Sequence, residues 1–449
     1  MEVTENEMGI WIKLAYRKRN EDFQVLQFFF SNRIAIAFAF PLFISVFACT
    51  SPEEERMEAF EAVCRTIDER FYDPEFNGRD WDAIVDEYRP RVANVKNDEE
   101  FFVLVNEMLF ELGVSHLGLI PDEHPEWIGA PAVFADGEVG IDVRLIEGHA
   151  VAVKVRAGSP ADKAGILPGA LLLGIDGKSL DDMQNEALKR PSSPLDEQLK
   201  LTQAVQQGLF GPSGEETTVR FANYGDEERE VTLRRIARPG RSIIMEGIPP
   251  SYLEIEFHRV EENVGYLRFN AFDLSLLDDI QSAIDSFEGT NGMVIDLRGN
   301  IGGVFQVRRA LAERLVTASC TIWIQNGRRG PFEVNLTPPP NAYRGLVVVL
   351  TDIMSCSSAE ELSGGLQALG RAVVVGQKTT GVVLIADLIR LDIGATLVYP
   401  VAETILADGS VLEGRGVIPD IEVQLDRKSL AAGRDLQLEA ALKYIKENA

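Results

Sequence analysis

The spacing of apolar residues changes twice along this chain, and each change marks a different kind of structure. Between Glu53 and Gly113 apolar positions recur at three- and four-residue steps. Phe60, Val63, Ile67 and Phe71 share one helical face, and Trp81, Ile84, Val85 and Tyr88 share another behind an Asp80 cap. A third helix is expected to start at Asn97, with Glu100 at the capping-box position. It carries Phe101, Leu104, Val105, Met108, Leu109 and Leu112 to a stop at Gly113. Three short amphipathic helices make a small cap over residues 53–120, and Ser115 and His116 follow them in a turn.

From residue 134 to 236 the period falls to two. Short strands are expected at Val139–Val143, Ala150–Val155, Ala170–Ile175, Thr217–Phe221 and Glu230–Arg234. A short helix opens at Ser159-Pro160, where proline suits the first turn, and a longer one runs from about Pro194 to Leu209. Beyond Arg238-Pro239-Gly240 the strands become continuous apolar runs, at Val264–Phe269, Met293–Leu297, Leu346–Leu350 and Ala372–Val375, with helical stretches between them. That pattern predicts a parallel or mixed α/β sheet over residues 240–449. The fold class is therefore α/β within an α+β multidomain chain.

The N-terminal 48 residues read as a leader. Arg33 precedes an apolar run from Ile34 to Ala48 that is short for a membrane span and ends at Cys49, as an export signal does. Val46-Phe47-Ala48-Cys49 resembles a bacterial lipobox, with Phe47 bulkier than is usual there. The expectation is an exported, periplasmic or cell-envelope protein, lipid-anchored at Cys49 and touching the membrane only through that lipid or the signal. Plain secretion and an uncleaved anchor are the alternatives.

Composition narrows the function. A chain of 449 residues, 45% hydrophobic and 25% charged, has room for two or three domains. Its 70 acidic residues against 44 basic ones give a net charge of -26, which argues against nucleic-acid partners because phosphate binding needs clustered Lys and Arg. With Cys49 assigned to lipid, Cys64, Cys320 and Cys356 have neither the number nor the spacing of a disulfide framework or a zinc site.

Candidate chemistry is concentrated in four places. Of the four histidines, His124, His149 and His258 read as surface residues, whereas His116 stands beside Ser115 at the junction between cap and strands. The strand Leu346–Leu350 runs into Ser355-Cys356-Ser357-Ser358-Ala359-Glu360 and then a helix, a corner where free helix amides face developing negative charge. Serine also caps helices, so local sequence does not choose among Ser355, Ser357 and Ser358. A glycine-rich corner, Asp296-Leu297-Arg298-Gly299-Asn300-Ile301-Gly302-Gly303, offers close backbone approach and exposed N–H groups. Glu413, within Gly409–Asp420, reads on its own as part of an ordinary loop.

In this order the pieces resemble the tail-specific, or C-terminal-processing, serine proteases, and specifically their tricorn-like branch. The segment from Ala157-Gly158-Ser159-Pro160 through Gly169–Gly177 resembles a PDZ domain of the bacterial protease type. The resemblance implies a crotonase-like catalytic domain with an inserted PDZ domain, acting on peptides or protein C-terminal regions without a metal or organic cofactor. It places the nucleophile on Ser357, the general base on His116, and the groups orienting that base on Ser115 and Glu413. The oxyanion would lie between the amide of Ser358 and that of Gly302 or Gly303. Peptide capture by the PDZ domain maps to Val139, Gly140 and Ile141, where Glu138 is a poor neighbour for a carboxylate; regulated access and a purely structural module are the alternatives.

Three features depart from the family pattern. The branch with a Ser-Lys dyad carries its lysine where Val382 stands here, leaving Lys378 as an alternative base. Leu117 replaces a frequent Thr, and Cys356 makes the serine run atypical. The last two departures keep open a non-catalytic member that binds peptides or lipophiles.

Overall fold

Ser51, Asp80 and Asn97 each accept a backbone N–H at the start of a helix, fixing α1 (Pro52–Arg70), α2 (Trp81–Val92) and α3 (Asp98–Phe110). This computed structural model describes residues 51–122, 135–189, 197–245 and 248–449; the leader, Cys49 and His124 lie outside them. The apolar faces expected of the three helices are buried, Phe60, Val63, Ile67, Phe71 and Phe101 completely. Those faces do not close on one another alone. Their core also takes Leu384, Leu391, Ala395, Leu397 and Tyr399 from the C-terminal third of the chain. Strand β1 (Gly118–Pro121), two residues after His116, pairs antiparallel with residues 395–398. The cap thus shares its core with the region carrying Glu413, because one helical layer cannot cover its own apolar face.

The strand-rich region contains β2 (Ile141–Ile146), β3 (His149–Val155), α4 (Pro160–Lys163), β4 (Leu171–Ile175), α5 (Leu180–Lys189), α6 (Glu197–Leu209), β5 (Glu216–Ala222) and β6 (Arg229–Arg234). The strands form an antiparallel sheet in the order β2-β3-β4-β5-β6. Leu201, Val205 and Leu209 of α6 pack on Ile141, Val143 and Ala152. The strand expected from Val139 starts instead at Ile141, because Gly140 has φ of +85° and breaks the extended chain. Helix α5, not expected from the sequence pattern, precedes α6.

The last region holds β7 (Ile255–Val260), β8 (Val264–Phe269), α7 (Leu277–Ser286), β9 (Gly292–Asp296), α8 (Phe305–Leu315), β10 (Cys320–Gly327) and β11 (Gly330–Leu336). It continues through β12 (Leu346–Thr351), α9 (Ser358–Ala368), β13 (Val373–Gly376), β14 (Ile385–Leu391), β15 (Ala395–Leu406), α10 (Arg427–Ala431) and α11 (Leu436–Asn448). Strands β8, β9, β12 and β13 are parallel neighbours in that order, matching the four apolar runs, and β7 adds antiparallel at one edge. Their two faces are both covered. Met293, Ile295, Val347 and Val349 face α7, α8 and α9, while Val294, Val348 and Leu350 face Ala441 and Ile445 of α11. A second, antiparallel sheet (β1-β15-β10-β11, with β14 on β15) was not anticipated, because its half-exposed strands alternate polar and apolar residues weakly. Strands β9, β12 and β13 each end in a turn on the same edge of the parallel sheet, where ligands of such sheets bind.

Candidate active site

The turns after β9 and β12 are laced together by buried polar groups. Asp352 Oδ1 accepts the N–H of Gly299 at 3.0 Å and of Met354 at 2.9 Å, and the Cys356 N–H donates to the Asn300 carbonyl at 2.9 Å. Arg144 reaches in from β2 and pairs with the other oxygen of Asp352 at 2.6 Å. One acid thus ties together the glycine-rich corner, the serine turn and the strand-rich region.

That lacing separates the three serines. Ser355 is fully buried and its hydroxyl donates to the Leu297 carbonyl at 2.8 Å; the Ser358 hydroxyl donates to the Gly303 carbonyl at 2.8 Å. The Ser357 hydroxyl donates to no group among the described residues. Its backbone has φ of 53° and ψ of -119°, a conformation that costs a residue with a side chain of order 1–3 kcal/mol. Strain of this kind persists where the surroundings over-determine it. A Cβ on Gly302 would stand 2.6 Å from the Ser357 Cβ, so only glycine lets the glycine-rich corner approach so closely.

The two glycines differ in what their amides do. The Gly302 N–H is already taken by Asn300 Oδ1 at 2.9 Å. Neither the Gly303 N–H nor that of Ser358, at the first position of α9, has a partner among the described residues.

On the other side of the cleft, Ser115 joins His116 to Glu413. The Ser115 hydroxyl donates to Glu413 Oε2 at 2.9 Å and lies 3.0 Å from His116 Nδ1, while the Ser115 N–H donates to Glu413 Oε1 at 2.8 Å. A hydroxyl has one proton, and with Glu413 as carboxylate that proton is committed to it. The Nδ1–H of His116 must then donate to Ser115 Oγ, which leaves Nε2 as the lone-pair nitrogen. Burial pushes the His116 imidazole down to about 4, so it is neutral at pH 7. Burial also raises the Glu413 carboxyl, opposed by the N–H groups of Ser115 and Val383 and the Ser115 hydroxyl. His116, like Ser357, is a non-glycine residue with positive φ, 53°.

A short strap holds the two halves in register. The Ser357 N–H donates to the Val382 carbonyl at 2.9 Å; the Val383 N–H donates to Glu413 Oε2 at 3.0 Å. The Leu384 N–H reaches Ser115 Oγ at 3.5 Å. No hydrogen bond joins His116 to Ser357 among the described residues.

Glu360 anchors the near end of this strap, a role the sequence pattern did not assign. Its carboxylate accepts the Gly381 N–H at 2.7 Å, the Val382 N–H at 3.0 Å, the Ser357 N–H at 3.1 Å and the Thr379 hydroxyl. Burial pushes it up to about 7 against those four donors. The spacing of Ser357 and Glu360, three residues apart at a helix start, is the sequence signal that was available. Lys378 is exposed, and no hydrogen bond or ion pair ties it to Ser357 among the described residues. Val139, Gly140 and Ile141 stand at the start of β2, where the Glu138 carboxylate is buried and paired with Arg156 at 3.2 Å.

Family comparisons bear on this arrangement. Peptidase family S41 matches residues 263–423, the tricorn protease C1 domain matches 52–110, and a PDZ domain matches 151–202. The chain thus carries a peptidase family S41 region and is similar to the C-terminal-processing proteases. Among relatives in the family, the carboxyl-terminal-processing protease of Synechocystis sp. is 28% identical over 392 residues, covering 85% of this chain and 84% of its own. The chloroplastic carboxyl-terminal-processing peptidase 3 of Arabidopsis thaliana is 26% identical over 79% of this chain, which spans 66% of that relative. The putative tricorn protease homolog 2 of Streptomyces coelicolor is 29% identical over 88% of this chain, which spans 32% of it. In fold, the chain is similar to the photosystem II D1 C-terminal processing protease, with a TM-score of 0.56 at 21% identity over 84% of this chain and 94% of that one. The family likeness thus spans cap, PDZ domain and catalytic region of this serine peptidase.

Proposed function

We propose that this chain is a serine endopeptidase that cleaves polypeptides in or near their C-terminal regions, with Ser357 as nucleophile and His116 as general base. The observation that carries the reading is the Glu413–Ser115–His116 relay, tied through Val382–Leu384 to a strained serine whose hydroxyl donates to no group among the described residues. His116 Nε2 takes the proton from Ser357 Oγ as that oxygen bonds to the scissile carbonyl carbon. The oxyanion forms toward the amides of Ser358 and Gly303. The C–N bond then breaks as His116 passes its proton to the leaving amine. Water repeats the attack on the acyl-enzyme, giving a proton to His116 that returns to Ser357 Oγ, and a free carboxylate leaves. Glu413, acting through Ser115, holds the imidazole in the productive tautomer.

Labelling by a serine-directed fluorophosphonate, with hydrolysis of an internally quenched peptide, tests this. Ser357→Ala and His116→Ala should abolish turnover, while Lys378→Ala should leave it within about twofold. Full activity in the histidine variant with loss in the lysine variant would establish the dyad instead. A chain that binds peptide but never forms a Ser357 adduct would be a non-catalytic member. Export and lipidation at Cys49 belong to the same proposal, resting on the sequence of the leader. Incorporation of labelled palmitate in the native chain, and its loss in Cys49→Ser, is the expected result.

A further inference from the structure

The PDZ sheet ends in strand β2, which has no strand on its outer side among the described residues. Such an edge leaves backbone N–H and C=O groups pointing outward, and an extended peptide can add there as a further strand. In this chain a side chain is there first. Gln206 of α6 accepts the Val143 N–H at 3.0 Å through Oε1 and donates to the Ile141 carbonyl at 3.1 Å through Nε2. A carboxamide presents the same C=O and N–H groups as a peptide unit. Gln206 is buried, and its neighbours along α6, Leu201, Val205 and Leu209, are apolar. Packing alone would favour another apolar residue at this position; the two edge bonds require an amide.

The edge opens into a cavity of about 850 Å³. Gly140 and Asp142 line it from the β2 side, Gln203 from α6 and Phe210 from just beyond it, and Gly299 and Met354 from the turns that hold Ser357. A strand laid along β2 and the catalytic turns therefore share one space.

The geometry points to Gln206 as a gate on this edge: it stands in for a peptide strand, and an extended polypeptide segment binds along β2 by taking over the Val143 N–H and the Ile141 carbonyl. Binding must first release two hydrogen bonds that the free protein already makes. The gate therefore weakens capture of any extended chain and favours segments with enough further contacts to outlast the exchange. This inference rests on the PDZ assignment and is independent of the chemistry at Ser357, so it is tested in a chain that cannot cleave.

The probe is the fluorescein-labelled octapeptide Ser-Ser-Ala-Val-Ala-Val-Ala-Ala with a free C-terminus, titrated by anisotropy against the full-length chain carrying Ser357→Ala. Adding Gln206→Ala removes the competing amide, and the peptide should bind about fivefold tighter or more, the equivalent of one net hydrogen bond. The gain should vanish for a peptide N-methylated at alternate residues. Hydrogen exchange supplies the second reading. In free Gln206→Ala the Val143 amide should exchange quickly and regain protection with peptide, while the Ala152 amide in β3 stays protected throughout. Unchanged or weaker binding in Gln206→Ala overturns the gate, as does absence of binding in both proteins. Loss of protection at Ala152 would mark Gln206 as a structural residue and overturn it too.

Discussion

The backbone N–H of Ser357 donates to the carbonyl of Val382 at 2.9 Å. The next two residues along the chain donate to Glu413 and to Ser115, so a strap only three residues long spans from Ser357 to the Ser115–Glu413 pair beside His116. Adjacent Cα atoms are about 3.8 Å apart, and the register of this strap therefore sets how far Ser357 stands from the proposed base His116. Where the dyad branch of the family would place a lysine side chain, this chain uses the backbone of Val382.

The strain at Ser357 separates stability from activity. Ser357→Gly relieves the positive φ, whereas Ser357→Ala keeps it, so both variants should be inactive but the glycine one more stable by about 1 kcal/mol. Denaturant unfolding of the two, compared with wild type, checks this. Equal midpoints for the glycine and alanine variants would show that the surroundings do not impose the conformation.

Breaking the relay at Ser115 should lower kcat with little change in KM. Ser115→Ala leaves His116 Nδ1 and Glu413 without their shared partner, and the imidazole loses the bond that fixes its tautomer; a drop of about 10²–10⁴-fold in kcat is expected. Thr at this position, which keeps the hydroxyl, should restore much of it. Single-turnover kinetics on the quenched peptide provide the measurement.

His116's own contribution to the acid limb of the pH profile should lie near its lowered value. Burial has moved the group from 6.5 down to about 4, so any fall of kcat/KM between neutrality and about 4 belongs to the raised carboxyls of Glu413 and Glu360 and not to protonation of His116. The stability effect has a definite sign. As pH falls below 6.5 the unfolded chain binds this proton first, so the contribution of neutral His116 is complete above 6.5 and is lost as pH falls through about 4. An acid limb at 6 to 7 that disappears in a histidine-independent substrate assay would contradict the assignment.

Glu360→Gln should cripple the enzyme while leaving it folded. An amide has one acceptor oxygen, so two of the four donors that converge on Glu360 would face an NH₂ group; each buried bond to a charged group is worth about 1.5–3 kcal/mol. The pH signature is opposite to that of His116. A carboxyl raised from 4.5 to about 7 contributes stability that is complete below 4.5 and is lost as pH rises through about 7. Thermal melts between pH 4 and 8 should therefore lose this component in the glutamine variant.

Much of the chain was legible before folding. Cap residues, helix faces and the four parallel strands followed from periodicity and end signals, because local propensity and burial agree there. The order of motifs placed Ser357, His116, Ser115 and Glu413 as candidates. Less visible were the antiparallel sheet that completes the cap's core and the helix α5, whose sequences alternate weakly and depend on what packs against them.

Sequence by itself thus determined which residue types sit at which strand ends, and it did so because a continuous apolar run or a capped helix is a local property. It could not choose among Ser355, Ser357 and Ser358, which share one helix start. Tertiary structure distinguishes them by committing two of the hydroxyls to the Leu297 and Gly303 carbonyls and straining the third. Only the folded chain, too, brings Ser115 to a glutamate 298 residues away and lays Gln206 along an edge 65 residues before it. Hydrogen bonds across such separations carry no local pattern; they exist only once the sheets and helices between them are in place.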